Sequence, residues 1–336
     1  MAKIKLTVAV ETLRLAEPFR ISGYVFESQD VVVATLDDGK YVGRGEGGGI
    51  YYLGDTAPEM TAAIASVRTE IEAGADREVL QKLLRPCGGR NALDCAFWDL
   101  EAKRAGTPVW KLAGMPASKP LRTTFTIGAD DPGMMASKAI SFGGARSIKL
   151  KLTGDLALDS ERVKAVRAAR PDVWIAVDAN QGYARANLEA LVQVLTDAKV
   201  SLLEQPLARG READLDGYKS AIPIAADESA LSLADVAGLV GRFDVVNIKL
   251  DKCGGLTEGL AMAREARRLG LDVMVGNMVG TSLAMAPAFV LGQLCDVVDL
   301  DGPIFLARDR SPGVVYAAGL VSCGDDVWGS PLAVAA

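Results

Sequence analysis

The sequence predicts an α/β protein, a (β/α)8-type barrel of the TIM kind that follows a smaller α+β domain. Three observations predict this fold. Short apolar strands alternate with helices from about residue 121 onward, the preceding part places its strands before its helices, and polar residues recur at the strand ends at intervals of one β/α unit. The 336 residues suffice for a barrel-sized domain with an addition.

The amino-terminal part begins with three predicted strands. Residues 3–10 alternate with a period of two, and residues 30–37 form a β-branched run that is followed by an Asp-Gly turn. Together with residues 41–46 they predict a small antiparallel sheet.

Two helical stretches are expected to follow this sheet. Apolar residues repeat at helical spacing over 57–74 and over 90–105, and Gly106 comes directly after the second stretch. These elements predict an α+β capping domain at residues 1–118. The loop-rich residues 303–336 are expected to form a C-terminal segment that packs back on the capping domain.

Residues 119–302 are expected to form the barrel. The eight strand candidates are 123–127, 147–152, 174–178, 201–205, 223–227, 245–250, 272–276 and 296–300, and helical stretches separate most of them. A doubly wound open sheet is the alternative. The residues after the first strand, TIGADD at 126–131, lack the glycine pattern that such a sheet carries there.

The absence of histidine from the sequence excludes several kinds of site. A Ser-His-Asp triad, a Cys-His dyad, an HExxH zinc site and a haem with a histidine ligand all need this residue. Proton transfer must therefore use Lys, Asp, Glu, Tyr or Cys. A metal bound by side chains is expected among carboxylates, which favours a hard cation such as Mg²⁺.

Charge and cysteine content bear on partners and compartment. The 37 Lys and Arg residues against 43 Asp and Glu give a net charge of −6, and no basic run predicts nucleic-acid or membrane binding. The five cysteines are scattered without a CxxC pair, and the amino terminus lacks the apolar region of a signal peptide. A cytoplasmic protein without nucleic-acid or membrane partners is expected.

Polar residues stand at the carboxyl ends of the predicted barrel strands. They are Lys149, Lys151, Asp178, Glu204, Asp227, Lys249, Asn277, Asp299 and Asp301. From Lys151 to Asp299 the steps are 27, 26, 23, 22, 28 and 22 residues, each about one β/α unit. A single polar residue of this kind is as often an ordinary solvent-exposed strand end as a functional residue. A closed barrel, however, brings the whole set to the face where barrel active sites lie.

Three acids on successive strands indicate a metal site. Asp178, Glu204 and Asp227 would repel one another across a narrow barrel mouth unless a cation held them. They are expected to bind one Mg²⁺ per subunit, with water and substrate oxygens completing the coordination.

Two lysines are expected to face each other across this site. Lys151 belongs to the second strand and Lys249 to the sixth, so four strands of eight separate them. Bases on opposite sides of a metal-bound carboxylate are what a 1,1-proton transfer through an enediolate requires. Desolvation, the neighbouring Lys149 and the metal charge are expected to lower the lysine pKa toward neutrality.

Several motifs resemble the enolase superfamily, muconate-lactonizing subgroup, in which a Lys or His base acts with Mg²⁺. They are KLK at 149–151, VDANQ at 177–181, LEQP at 203–206, ADES at 226–229, NIKLDKCGG at 247–255 and RNALDCAFWDL at 90–100. The resemblance covers nearly the whole chain. It implies a modified (β/α)7β barrel with an N-terminal capping domain, and a homo-oligomer.

Within the subgroup, DLDGP at 299–303 is similar to the DxD motif of the dipeptide epimerases, such as the L-Ala-D/L-Glu epimerases. This resemblance implies that Asp299 and Asp301 bind the α-ammonium of a dipeptide. It also implies substrate contacts from Thr124, Lys149 and Asn277.

The capping loop predicted at residues 19–29 departs from the family pattern. Members that act on acidic dipeptides carry arginines in this loop, whereas this chain has Gly23, Tyr24 and Phe26 there and Arg20 near the loop start. Either Arg20 pairs with a glutamate side chain, or Tyr24 and Phe26 line an apolar pocket, or both aromatics belong to the cap core.

The expected activity is thus Mg²⁺-dependent epimerisation at the carboxy-terminal residue of an L-Ala-X type dipeptide, with Lys151 and Lys249 as the acid/base pair. One alternative is an o-succinylbenzoate synthase or muconate cycloisomerase type of reaction at the same site. Another is a barrel that binds its ligand without turnover.

Overall fold

The computed structural model describes residues 4–21 and 24–331, and it confirms the predicted fold class. An α+β unit precedes an eight-stranded parallel sheet that curls as in a barrel. Within the described residues, no helix has the length and apolar character needed to cross a membrane.

The capping unit begins with an antiparallel sheet of β1 (Lys5–Ile21), β2 (Tyr24–Asp37) and β3 (Val42–Gly48). The first two strands extend well beyond residues 3–10 and 30–37, so the segment expected as a capping loop is the far end of a β-hairpin. The pairing shifts register between Arg14 and Phe19. This irregularity determines which side chains of the hairpin end face the barrel.

Five helices follow the cap sheet: α1 (Ala57–Ser66), α2 (Arg68–Glu72), α3 (Arg77–Leu83), α4 (Gly88–Ala105) and α5 (Val109–Leu112). The buried helix α4 lies directly on β3 because alternate residues of this strand are glycines. A Cβ added to Gly45 would lie 2.3 Å from the Ala92 carbonyl oxygen, and one added to Gly47 would lie 2.1 Å from that of Gly88. The glycines thus allow the backbones of α4 and β3 to approach closely.

The barrel consists of eight parallel strands in sequential order. They are β5 (Phe125–Ile127), β6 (Ser147–Lys151), β7 (Trp174–Asp178), β8 (Leu202–Glu204), β9 (Ile224–Ala226), β10 (Val245–Ile248), β11 (Asp272–Val275) and β12 (Val297–Val298), after a short β4 (Leu121–Arg122). The Thr124 backbone N–H donates to the Val298 carbonyl at 3.1 Å and so links the first barrel strand to the last.

Helical segments connect the barrel strands. They are α6 (Pro132–Ser141), α7 (Leu156–Ala169), α8 (Arg185–Asp197), 3₁₀ helices Glu212–Leu215 and Leu233–Leu239, α9 (Leu250–Cys253), α10 (Leu256–Arg268) and α11 (Ser282–Gly292). After β12 the described chain continues into a 3₁₀ helix, Gly302–Phe305, in place of an eighth α-helix. Seven helical connections and a final strand match the expected (β/α)7β form.

The C-terminal segment contacts both units. Strands β13 (Val315–Ala317) and β14 (Leu320–Ser322) form a small antiparallel sheet with β4. The Trp328 indole N–H donates to the Arg44 carbonyl at 2.8 Å, and the Gly329 N–H donates to Asp99 at 3.0 Å. These bonds connect the end of the chain to β3 and α4 of the cap.

Candidate active site

Strand register brings the expected site residues to one end of the barrel. Lys151 pairs with Asp178 in the register of β6 and β7, and Asp178 pairs with Glu204 in that of β7 and β8. These residues end their strands, and their side chains point into the mouth because they share one face of the sheet. The carboxyl end of the barrel therefore carries a continuous row of charged groups.

Asp178, Glu204 and Asp227 form one buried cluster. One carboxylate oxygen from each lies within 4.8 Å of the other two, which is close enough for a single ion to contact all three. The side-chain oxygens Asn180 Oδ1, Glu228 Oε2 and Asn247 Oδ1 are also buried and have no hydrogen-bond partner. Oxygen donors in this number suit a hard cation such as Mg²⁺ with its waters, so the residues fit the expected metal.

Each of the two opposed lysines is paired with a different acid of this cluster. The Lys151 ammonium lies 2.6 Å from Asp178 Oδ2, and the Lys249 ammonium lies 2.7 Å from Asp227 Oδ2. Both lysines are nearly buried and line the same cavity. The structure therefore brings both lysines and all three acids together, while their roles stay predictions.

Lys149 lies deeper and joins two groups of acids. Its ammonium is 2.7 Å from Glu204 Oε2 and 2.8 Å from Asp299 Oδ2. Burial lowers the pKa of Lys149, but the nearby carboxylates, led by Asp299 and Glu204, outweigh burial and hold this pKa well above its usual range. Lys149 is thus a fixed positive charge between the three-acid cluster and the DxD acids.

The acids around Lys249 act against the expected lowering of its pKa. Burial lowers the pKa of Lys249, but the Asp227 carboxylate at 2.7 Å, with smaller contributions from Glu204 and Asp178, raises it above the ordinary lysine value. The prediction included the positive charge of a bound Mg²⁺, which would offset these three acids, so the lowered pKa stays a prediction.

Two further residues hold the acids in place, and neither was among the expected site residues. The Lys252 ammonium donates to Asp227 Oδ1 and to the Asp227 carbonyl, both at 2.5 Å, and the Asn247 side chain donates to Glu204 Oε1 at 2.8 Å. Asn247 comes two residues before Lys249 on β10, so the period of two along a strand could have found it.

The DxD acids lie at the other end of the cavity. Asp299 accepts hydrogen bonds from the Thr124 hydroxyl and the Lys149 ammonium, and the Asn277 amide donates to the Asp299 carbonyl at 2.6 Å. Asp301 accepts from the Thr126 backbone N–H at 2.6 Å.

The charge state of the two DxD acids differs. Burial raises the pKa of Asp301 to about 7, and the neighbouring Asp299 carboxylate acts in the same direction. The pKa of Asp299 lies below its usual value, because Lys149 and Thr124 offset its burial. Asp301 is therefore a buried carboxylate that a further cation would stabilise.

Of the three cap residues expected to bind substrate, only Phe26 lines the cavity. Arg20 is exposed and borders a neighbouring groove, and Tyr24 is 47% exposed outside the cavity lining. The pairing of Phe19 with Phe26 and of Arg20 with Val25 explains the position of Arg20, because successive residues of a strand face opposite sides. Gly23 lies outside the described residues.

The remaining cavity wall is largely apolar and comes from distant parts of the chain. Phe19 and Phe305 contact each other with ring centroids 4.7 Å apart, and Phe26 contacts Tyr51 at 5.5 Å. Tyr52, Met278 and Val279 also line the cavity, together with the polar side chain of Gln29. Tyr51 and Tyr52 form part of the 3₁₀ helix Tyr51–Leu53 of the cap.

Comparison with known proteins identifies the family. Residues 3–114 match the family model "Mandelate racemase / muconate lactonizing enzyme, N-terminal domain", and residues 134–303 match "Enolase C-terminal domain-like". The L-Ala-D/L-Glu epimerase of Escherichia coli (strain K12) is 40% identical over 311 residues, which cover 92% of this chain and 96% of that protein.

Solved structures agree with this result. An enolase family member from Agrobacterium tumefaciens, with homology to dipeptide epimerases and with bound sodium and L-Ala-L-Glu, has a TM-score of 0.93 at 43% identity and covers 97% of this chain and 100% of that chain. The dipeptide epimerase from Enterococcus faecalis V583, complexed with Mg and L-Leu-L-Tyr, has a TM-score of 0.91 at 30% identity. The match covers 98% of this chain and 99% of that chain. The chain thus belongs to the mandelate racemase/muconate lactonizing enzyme family of the enolase superfamily, in its dipeptide epimerase branch.

Proposed function

We propose that the protein is a Mg²⁺-dependent dipeptide epimerase that inverts the α-carbon of the carboxy-terminal residue by 1,1-proton transfer. One observation carries the proposal. Lys151 and Lys249 stand on opposite strands of one mouth and are paired with different acids of a single buried cluster. A reaction that removes a proton from one face of a carbon and returns one to the other face needs this arrangement.

The acids determine how a dipeptide lies in the cavity. Its free ammonium binds at Asp299 and Asp301, because Asp301 is a buried carboxylate that accepts hydrogen bonds from the N–H and the side chain of Thr126 but forms no salt bridge within the described part of the chain. Its carboxylate points toward Asp178, Glu204 and Asp227. The α-carbon of the second residue then lies between Lys151, which ends β6, and Lys249, which directly follows β10.

Each lysine acts on one epimer. The unprotonated lysine on one side removes the α-proton, and the protonated lysine on the other side returns a proton to the opposite face of the planar enediolate. The roles exchange in the reverse direction, so the proton count of the enzyme is unchanged after a forward and a reverse turnover. A Mg²⁺ held by Asp178, Glu204 and Asp227 supplies a Lewis acid for the negative charge on the substrate carboxylate.

The similarity to characterised enzymes supports the reaction type but leaves the dipeptide open. The structures compared above hold L-Ala-L-Glu in one relative and L-Leu-L-Tyr in another. Both are dipeptides with a free ammonium, which agrees with the DxD acids. The side chain of the second residue is therefore the part of the substrate that similarity does not determine.

A screen of L-Ala-L-X dipeptides in D₂O with Mg²⁺ tests the proposal. Mass spectrometry should show a gain of one dalton at the α-carbon of the second residue, together with formation of the L-Ala-D-X epimer, and EDTA should abolish both. Absence of exchange with every dipeptide would contradict the proposal. It would favour the syn-dehydrating or lactonizing reactions that other enzymes with this site perform.

We also propose a homo-oligomer in the cytoplasm that does not act on nucleic acid. The homo-oligomer is what the resemblance to the enolase superfamily implies. The five free cysteines suit a reducing compartment, and the net charge of −6 disfavours nucleic acid. Light scattering on the purified protein would measure the oligomeric state.

The contacts described above also support a division into a capping domain (1–118), a barrel (119–302) and a C-terminal segment (303–336) that joins them.

A further inference from the structure

Within the described residues, the cavity offers no spare positive charge for the side chain of the second substrate residue. Among the described residues, the cations that line it are Lys149, Lys151 and Lys249. Each is already paired with a carboxylate at 2.6 to 2.8 Å. The proposed reaction uses Lys151 and Lys249 at the α-carbon, and Lys149 is held between Glu204 and Asp299.

Two arginines line grooves that adjoin this cavity. Arg20 pairs with Val25 on the hairpin face opposite to Phe19 and Phe26, and it borders a groove that shares Phe19, Thr126 and Phe305 with the cavity. Arg209 lines another groove, which shares Tyr52 with the cavity. Neither arginine lines the space in which the substrate would lie.

The walls of the cavity can be assigned to the two substrate residues. Phe19 and Phe305 line both the cavity and the groove that contains Thr126, whose N–H donates to Asp301, so they lie at the ammonium end. Tyr52 also lines the groove of Ser229, which follows Asp227 by two residues, and Tyr51 contacts Tyr52 with ring centroids 5.2 Å apart. Tyr51 and the Phe26 ring that it contacts therefore lie on the Asp227 side of the cavity, at the end of the second residue.

We infer that this enzyme acts on dipeptides whose second residue is apolar or aromatic, and that Phe26 and Tyr51 form the pocket for that side chain. The inference rests on the proposed function and adds its substrate class. A side-chain carboxylate in this pocket would lose its hydration without gaining a cation, while an apolar side chain gains about fourfold in binding for each buried methylene.

A substrate series tests the inference without changing the protein. We would measure kcat/KM for α-proton exchange with L-Ala-L-Leu, L-Ala-L-Phe, L-Ala-L-Gln and L-Ala-L-Glu at saturating Mg²⁺. Gln and Glu are matched in size and differ in charge. We expect kcat/KM for the Leu and Phe dipeptides to exceed that for the Glu dipeptide by at least tenfold, with the value for the Gln dipeptide in between.

The possible results separate the inference from the proposed function. An L-Ala-L-Glu value equal to or above that of L-Ala-L-Leu would overturn the inference and leave the epimerase function standing. Arg20→Ala and Arg209→Ala would then show which arginine turns inward. Absence of exchange with all four dipeptides would overturn the proposed function and the inference with it.

A matched pair of variants tests the position of the pocket. Phe26→Arg places a cation on the cavity face of β2, and Val25→Arg places the same cation on the opposite face of the same strand, where Val25 is 60% exposed. The ratio of kcat/KM for L-Ala-L-Glu to kcat/KM for L-Ala-L-Leu should rise at least tenfold in Phe26→Arg. In Val25→Arg the same ratio should stay within threefold of the wild-type ratio. Equal changes in both variants would overturn the assignment of Phe26 to the pocket.

Discussion

Asp301→Asn removes the negative charge that the substrate ammonium is proposed to bind. The residue is 3% exposed, and its carboxylate accepts a hydrogen bond from the Thr126 N–H. Removing one partner of a buried, hydrogen-bonded charge pair costs about 3 kcal/mol, which corresponds to roughly 150-fold in kcat/KM. Asn keeps the size of the side chain, so the cavity shape should persist.

The pKa of Asp301 gives this prediction a pH dependence. Burial raises the pKa to about 7, so the carboxyl group becomes protonated as the pH falls through 7. The protonated form cannot pair with an ammonium, and kcat/KM of the wild type should fall about tenfold from pH 8 to pH 6. The Asn variant has no proton to take up here and should lack this decrease.

The assay compares a free dipeptide with its N-acetyl derivative, which has no ammonium. Exchange in D₂O is followed by NMR at saturating Mg²⁺, so that the acids of the metal site stay ionised. Wild type should prefer the free dipeptide by about 100-fold, and Asp301→Asn should prefer it by less than threefold, since the lost pair is worth about 3 kcal/mol. A variant that retains both the wild-type kcat/KM and the wild-type preference would refute the assignment of Asp301.

Three further predictions concern the metal, the cap and a buried acid. Mg²⁺ at about 100 times its Kd should stabilise the fold by about 2.7 kcal/mol and raise Tm by about 4 °C, and Glu204→Gln should lose this rise in a thermal-shift experiment. Gly45→Ala should lower Tm markedly because its Cβ would lie 2.3 Å from the Ala92 carbonyl oxygen, whereas Gly144→Ala meets no atom within 4 Å and should not. Burial raises the pKa of Asp94 from 3.8 to about 6, so folding favours the protonated form and this contribution is lost as the pH rises through 6. Relative to Asp94→Asn, the wild type should therefore lose about 2.4 kcal/mol between pH 4 and pH 7, and equal changes of Tm in both proteins would contradict this.

The barrel and its row of charged residues could be predicted because each signal is local and repeated. A strand buried on both faces is an apolar run, and a polar residue such as Asp178 or Glu204 at its end stands out. Parallel strands all end at the same side of the sheet, so sequence spacing alone predicted that Asp178 and Glu204 would meet.

The far end of the cap hairpin could not be predicted in the same way. Residues 11–20 and 24–29 leave the cap core and are exposed along much of their length, so they carry no clear apolar alternation. The face that Arg20 presents depends on the register shift between Arg14 and Phe19, which depends on pairing rather than on residue type. The sequence therefore named Arg20 and Tyr24 with Phe26 as substrate contacts, and only Phe26 lines the cavity.

Contacts between distant segments were also beyond sequence reasoning. Phe305 follows the barrel and Phe19 precedes it, and only the fold brings their rings to 4.7 Å. Thr126 could have been found, because it follows Thr124 by two residues near the start of the barrel. Its function, however, is a backbone hydrogen bond to Asp301, which residue type does not indicate.

The most direct test of the central claim is the fate of each epimer in single lysine variants. With Mg²⁺ in D₂O, NMR would follow α-proton exchange of the L-Ala-L-X and L-Ala-D-X epimers of the best substrate in Lys151→Ala and Lys249→Ala. Two opposed lysines predict that both variants lose epimerisation, and that each retains exchange with only one epimer, a different one in each variant. Epimerisation at the wild-type rate in either variant would contradict the account.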